Sequence, residues 1–67
     1  MLAAIAKLRE ARAISQRELS AKLGLHPATV GKIERGERSV AVIELIRIAE
    51  ALAVTPQSLL GEALRPD

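Results

Sequence analysis

A single Gly-Leu step at residues 24–25 separates two short amphipathic stretches, "SQRELSAKL" and "HPATVGKIE", and leaves little choice about how they meet. Gly24 stands where a helix stops on a left-handed backbone, a conformation glycine adopts without steric cost. Pro27 carries the fixed φ of a first helical turn, where its missing N–H is not needed. One helix ending at Leu23 and another starting near Pro27 must therefore make a sharp corner. Corners of this kind hold one helix out where another molecule can reach it.

Helical spacing runs through the rest of the chain, and no stretch alternates apolar and polar residues long enough for a strand. A first helix is expected over Leu2–Ala13, with Ile5, Leu8 and the alanines inward. Ser15 offers an N-cap oxygen with Glu18 three residues on, the spacing of a capping box, and the second helix buries Leu19 and Leu23. The third helix runs from about Pro27 to Gly36 with His26 as its N-cap and Val30 and Ile33 inward. A fourth covers about Ala41–Ala53, with Val42, Leu45, Ile46, Ala49 and Leu52 inward. Thr55-Pro56 repeats the cap-then-proline start and opens a short fifth helix through Leu59 and Leu60, with the chain fraying beyond Gly61. The expected architecture is an all-α, five-helix single domain over residues 1–67, its corner unit spanning about 15–36.

Composition narrows the function classes. A chain of 67 residues buries only about 60% of the surface it exposes when unfolded, so its core is small. It has no cysteine, hence no disulfide, thiolate nucleophile or zinc finger, which suits a reducing, cytoplasmic setting. No apolar run approaches the roughly 18 residues of a membrane span, and "MLAAIAKLREAR" reads as a mature helix because charges alternate through it. His26 is the lone histidine, with no second ligand at metal spacing, and the glycines stand singly. These features point away from an enzyme, a metal site or a bound cofactor.

The charge is uneven. Up to Arg38 there are eight basic residues against four acidic; beyond it, two against four. The first part attracts polyanions. Phe, Trp and Tyr are absent altogether, and single-strand binding relies on bases stacking on such rings, so a nucleic-acid partner would be duplex DNA.

On a wheel of about 100° per residue, Ala28, Lys32 and Arg35 lie opposite Val30 and Ile33, with Thr29 and Gly31 on the shoulders. A small, basic, uncluttered side fits the major groove of B-DNA. It also fits an ordinary solvated face, and the wheel does not separate the two. Gly31 costs about 0.5–1 kcal/mol in mid-helix relative to alanine, which close approach of another surface would explain.

From about Leu8 to Leu60 the sequence resembles the phage repressor and Cro class of XRE-like helix-turn-helix proteins. The matching text is "LREARAISQRELSAKLGLHPATVGKIERGERS" followed by "LIRIAEALAVTPQSLL". Gln16 and Leu19 open the motif, Gly24 makes the turn, and Val30, Ile33, Glu34 and Gly36 close it. "IERGER" and the histidine before the third helix also resemble restriction–modification controllers. The resemblance implies a recognition helix over about Pro27–Arg35 in the major groove. It further implies a two-fold dimer whose recognition helices stand about 34 Å apart, on an inverted-repeat operator. It places Gln16 on a backbone phosphate, Thr29 and Lys32 on phosphate or base edges, and Arg35 and Arg38 near phosphate; with Arg17, His26 and Ala28 these make the expected DNA-binding set. Arg9 and Glu34 match a buried salt bridge between the first and third helices. Pro27 and Ala28 depart from the amide side chains some members use to read adenine, so readout rests on few residues, chiefly Lys32, and on DNA shape.

Ile43 is apolar yet lies away from the inward stripe of the fourth helix. It is either a scattered surface residue or, with Ile46, Leu60 and Leu64, the face of an isologous dimer. Two functions stay open at this point. One is a transcription regulator, repressing where its site overlaps a promoter and activating where it recruits RNA polymerase. The other is an antitoxin-like module with a toxin as its partner, or another helical protein–protein module, with little or no DNA binding.

Overall fold

A computed structural model describes residues 2–63. Its helices are α1 (Leu2–Ala11), α2 (Gln16–Lys22), α3 (Thr29–Glu34), α4 (Val42–Ala51) and α5 (Pro56–Ala63). There is no strand among the described residues. Helix α1 packs on α3 and α5, α2 on α3 and α4, and α4 on α5. Every helix contributes to one core of Ala4, Ile5, Leu19, Leu23, Val30, Ile33, Ile48, Ala49, Leu52 and Leu59. Each large side chain buried there stabilises the fold by about 1.5–3 kcal/mol. With short helices that are marginal alone, this shared core is what keeps them helical.

Local chemistry sets where each helix starts. Ser15 Oγ accepts the Glu18 N–H and Glu18 Oε1 accepts the Ser15 N–H, both at 3.0 Å, closing the capping box of α2. The Ser15 backbone N–H, then its hydroxyl, hold the Glu18 carboxyl below its ordinary value of 4.5. Thr55 Oγ1 accepts the Ser58 N–H at 3.0 Å and so caps α5, which runs to Ala63. Helix α3 begins at Thr29, later than the Pro27 start expected from sequence. Pro27 and Ala28 instead form a turn, closed by Thr29 N–H on the His26 carbonyl at 2.9 Å and by Ala28 N–H on His26 Nδ1 at 3.1 Å.

Four helices end alike. The N–H of Ile14, Leu25, Glu37 and Val54 each reaches back five residues, to the carbonyls of Arg9, Ser20, Lys32 and Ala49. The residue before each of these donors is left-handed: Ala13 (φ 55), Gly24 (φ 70), Gly36 (φ 76) and Ala53 (φ 58). This is the Schellman geometry, for which glycine is the usual occupant. It explains why α1 and α4 stop at Ala11 and Ala51, short of the expected Ala13 and Ala53. Left-handed backbone costs a non-glycine residue about 1–2 kcal/mol, partly offset because glycine makes the unfolded chain more flexible. Ala13→Gly and Ala53→Gly are therefore each expected to stabilise the fold by about 0.5–1 kcal/mol. Thermal melting checks this, and a lowered midpoint in both variants would show that the alanines carry no strain.

The inward face of α4 differs from the expected one. Ile48 is 1% exposed and belongs to the core with Leu45, Ala49 and Leu52, whereas Val42 is 75% exposed and Ile46 36%. Residues 45, 48, 49 and 52 form an uninterrupted i, i+3, i+4, i+7 stripe. Including Ile48 rotates its centre away from Val42 and Ile46.

Candidate nucleic-acid interface

The corner between α2 and α3 is pinned by Ser20. Its side chain is wholly buried, and Oγ accepts the Val30 N–H at 3.1 Å. That N–H belongs to the first turn of α3, where no carbonyl of the same helix is available. The Ser20 carbonyl meanwhile accepts the Leu25 N–H at 2.9 Å. One residue thus fixes both the end of α2 and the angle at which α3 departs. Sequence reasoning missed Ser20; the signal was a small hydroxyl residue beside Leu19 on the apolar side of its helix. Ser20→Ala would leave a buried donor without a partner, the costly way to lose a hydrogen bond.

A second tie anchors α3 from below. Arg9 Nε donates to Glu34 Oε2 at 2.8 Å and Arg9 NH2 to Glu34 Oε1 at 3.2 Å, a forked pair with side chains only 11% and 8% exposed. Arg9 NH1 also donates to the Ile14 carbonyl at 2.9 Å. The Glu34 carboxylate raises the Arg9 pKa against the opposing effect of burial. Gln16 Nε2 donates to Glu34 Oε1 at 2.8 Å, so the side chain expected on a phosphate is oriented by the carboxylate at the foot of α3.

The remaining site residues fall into distinct settings. His26, Ala28 and Lys32 are exposed, as is Arg17 on α2. Among the described residues Lys32 and Arg17 make no ion pair. His26 Nδ1 is an acceptor, which in the neutral ring puts the proton on Nε2 as an outward donor. Arg35 Nε donates to Glu37 Oε2 at 2.6 Å, and Arg38 grips Glu44 with two bonds of 3.0 and 2.7 Å. Arg35 holds the Glu37 carboxyl below its ordinary range, and Arg38 does the same to Glu44, assisted by the Ala41 N–H. Thr29 departs most from expectation. It is 9% exposed, enclosed at the start of α3 instead of lying on the outer shoulder, and Gly31 is buried as well. Ala28, Lys32 and Arg35 are all exposed, as is His26 before them.

Away from this side, α4 and α5 expose Val42 (75%), Ile43 (63%), Ile46 (36%) and Leu60 (41%). Leu64, expected in the same face, lies outside the described residues. Among the described residues no three acidic, histidine or cysteine side chains are grouped to hold a metal, and no helix is long and apolar enough to cross a membrane.

The arrangement has close counterparts among solved structures. The restriction–modification controller protein C.AhdI from Aeromonas hydrophila is 36% identical, with a TM-score of 0.78 over 84% of this chain and 85% of that one. An XRE-family like protein from Pseudomonas syringae pv. tomato is also 36% identical, with a TM-score of 0.83 over 97% and 82%. A hypothetical transcription factor, NHTF from Neisseria, is 30% identical, with a TM-score of 0.79 over 85% and 66%. Comparison with curated proteins yields no match. The helix-turn-helix family matches residues 5–59, which takes in everything from the second turn of α1 to the middle of α5. By that match and by the buried serine-pinned corner, the chain belongs to the XRE-like helix-turn-helix family of DNA-binding regulators.

Proposed function

We propose that the chain is a sequence-specific transcription regulator that binds duplex DNA as a homodimer on an inverted-repeat operator. In this reading α3 and the His26–Ala28 turn before it enter the major groove. The observation that carries it is Lys32, an unpaired, exposed cation on the outward side of a helix whose other side is locked by Ser20, Glu34 and the core. Arg17 and the Gln16 amide flank it from α2, suited to neighbouring phosphates, and Ala28 is small enough to rest on a thymine methyl. The exposed Val42, Ile43, Ile46 and Leu60 supply an apolar face for a second copy, which two-fold symmetry makes self-complementary. Such a protein acts wherever the cell keeps its DNA.

Selection of bound sequences from random duplex DNA tests the reading, and recovery of an inverted repeat is the expected result. Affinity should also fall steeply with added salt, because cations that neutralise phosphates release counterions. Binding that shows neither feature would transfer the chain to the protein-partner class, with a toxin or polymerase subunit on the apolar face. Lys32→Ala is expected to weaken binding to the selected repeat by about 1–3 kcal/mol, the range for a good base contact. An equal loss on every sequence, measured by competition with unrelated duplex, would reassign Lys32 to a phosphate.

A further inference from the structure

Gly31 sits in mid-α3, a position where glycine is normally a liability. A methyl built on its Cα would stand 3.1 Å from Arg35 NH1, 3.2 Å from Gln16 Oε1 and 3.6 Å from Gln16 Cδ. The close approach that explains this glycine is therefore made by the chain's own side chains. Carbon atoms in ordinary contact lie about 3.5–4.0 Å apart. An alanine here would require both polar ends to withdraw by a few tenths of an ångström.

The far ends of glutamine and arginine usually yield without penalty. Here Gln16 is fastened through the enclosed Glu34, and Arg35 is tied by an exposed ion pair. Arg35 Nε is bound to Glu37 Oε2 at 2.6 Å, and Gln16 Nε2 to Glu34 Oε1 at 2.8 Å. Glu34 is itself gripped twice by Arg9, and Arg9 by the Ile14 carbonyl. Arg35 is four residues beyond Gly31, so its side chain runs back over the preceding turn and onto the bare backbone. Gln16 comes from the first turn of α2 to meet it there. The Gln16 amide oxygen and the Arg35 guanidinium thus both lie against the bare backbone of Gly31.

We propose that Gly31 is a positioning residue for duplex contact. Its missing side chain leaves room for the Gln16 amide, whose oxygen faces Gly31 while Nε2 holds Glu34, and for the donating Arg35 guanidinium beside the recognition face, and any larger residue displaces them. The inference rests on the DNA-binding reading above. It separates two quantities that usually move together. Alanine is the best helix former, so Gly31→Ala gains helix propensity, yet it loses the geometry that faces the phosphates.

The test compares wild type, Gly31→Ala, the Gln16→Ala/Arg35→Ala double variant and the triple variant. Each is melted, and each is titrated with labelled mixed-sequence duplex DNA across a salt series. The melting midpoint of Gly31→Ala should match or exceed that of wild type, while its affinity falls about five- to tenfold and its salt slope flattens by about one. In the double-variant background, adding Gly31→Ala should cost nothing further, because the side chains it displaces are gone. Wild-type affinity in Gly31→Ala, an equal loss in both backgrounds, or a lowered melting midpoint would each overturn the proposal. If wild type itself binds no duplex, the DNA-binding reading falls; if only the Gly31→Ala contrast is missing, that reading stands and this inference alone is withdrawn.

Discussion

Glu34→Ala is expected to unfold the domain rather than to trim its binding. The substitution leaves the Arg9 guanidinium, 11% exposed, with only the exposed Glu10 at 4.0 Å as counter-charge, and it strips the Gln16 amide of its acceptor. Breaking a buried pair by removing one partner typically costs about 3–5 kcal/mol. At about 0.05–0.15 kcal/mol per residue, a chain this short has on the order of 3–10 kcal/mol in total. The loss therefore consumes most of the margin. Circular dichroism should show a denaturant midpoint near zero or a chain largely unfolded at room temperature, with binding lost in parallel. The companion experiment replaces both charges, Arg9→Met with Glu34→Leu, which removes the stranded ion and should restore much of the stability. A Glu34→Ala protein that melts like wild type but no longer binds would mean that Glu34 is itself a contact residue.

Ile43→Glu is expected to do the reverse, sparing the fold and removing the assembly. Ile43 is 63% exposed and opposite the core stripe, so a carboxylate there costs the monomer little. Placed at the centre of a two-fold apolar face, it would meet its own copy and bury two like charges. Sedimentation should show wild type as the proposed dimer and the variant as a monomer at the same concentration. Linking two half-site contacts raises avidity by about 10²–10⁴-fold over one, so affinity for an inverted repeat should drop by a factor in that range. Affinity for a single half-site should stay as it was. A variant that still sediments as a dimer would move the interface elsewhere.

How far the sequence could be read varied with the type of interaction. Gly24, the Ser15–Glu18 box and Thr55-Pro56 were legible because each acts within four residues of itself, where spacing alone dictates geometry. Helix order followed from periodicity. What escaped were effects between helices. Ile48 was assigned no inward role because counting from Val42 gives a plausible stripe, and only contact with α5 and α2 decides between that stripe and the observed one. Thr29 looked like a surface residue on the wheel of a helix starting at Pro27, and became enclosed once α3 leaned on α2. The left-handed alanines were invisible for another reason: Ala13 and Ala53 carry no sign of the conformation that packing forces on them. Arg35 and Arg38 were recognisable as cations near the recognition helix, but not as members of internal pairs, since Glu37 and Glu44 are close in sequence without being at helical spacing from them.

Those two pairs change what a basic surface means here. Toward a random polyanion, a guanidinium already shared with a carboxylate brings its own repulsion along, and must first give up a neighbour before it can accept a new one. A new contact at Arg35 or Arg38 therefore competes with Glu37 or Glu44, whereas Lys32 has no ion pair to break. Five of the nine described cations, Lys32 and Arg17 among them, make no ion pair and meet no such competition.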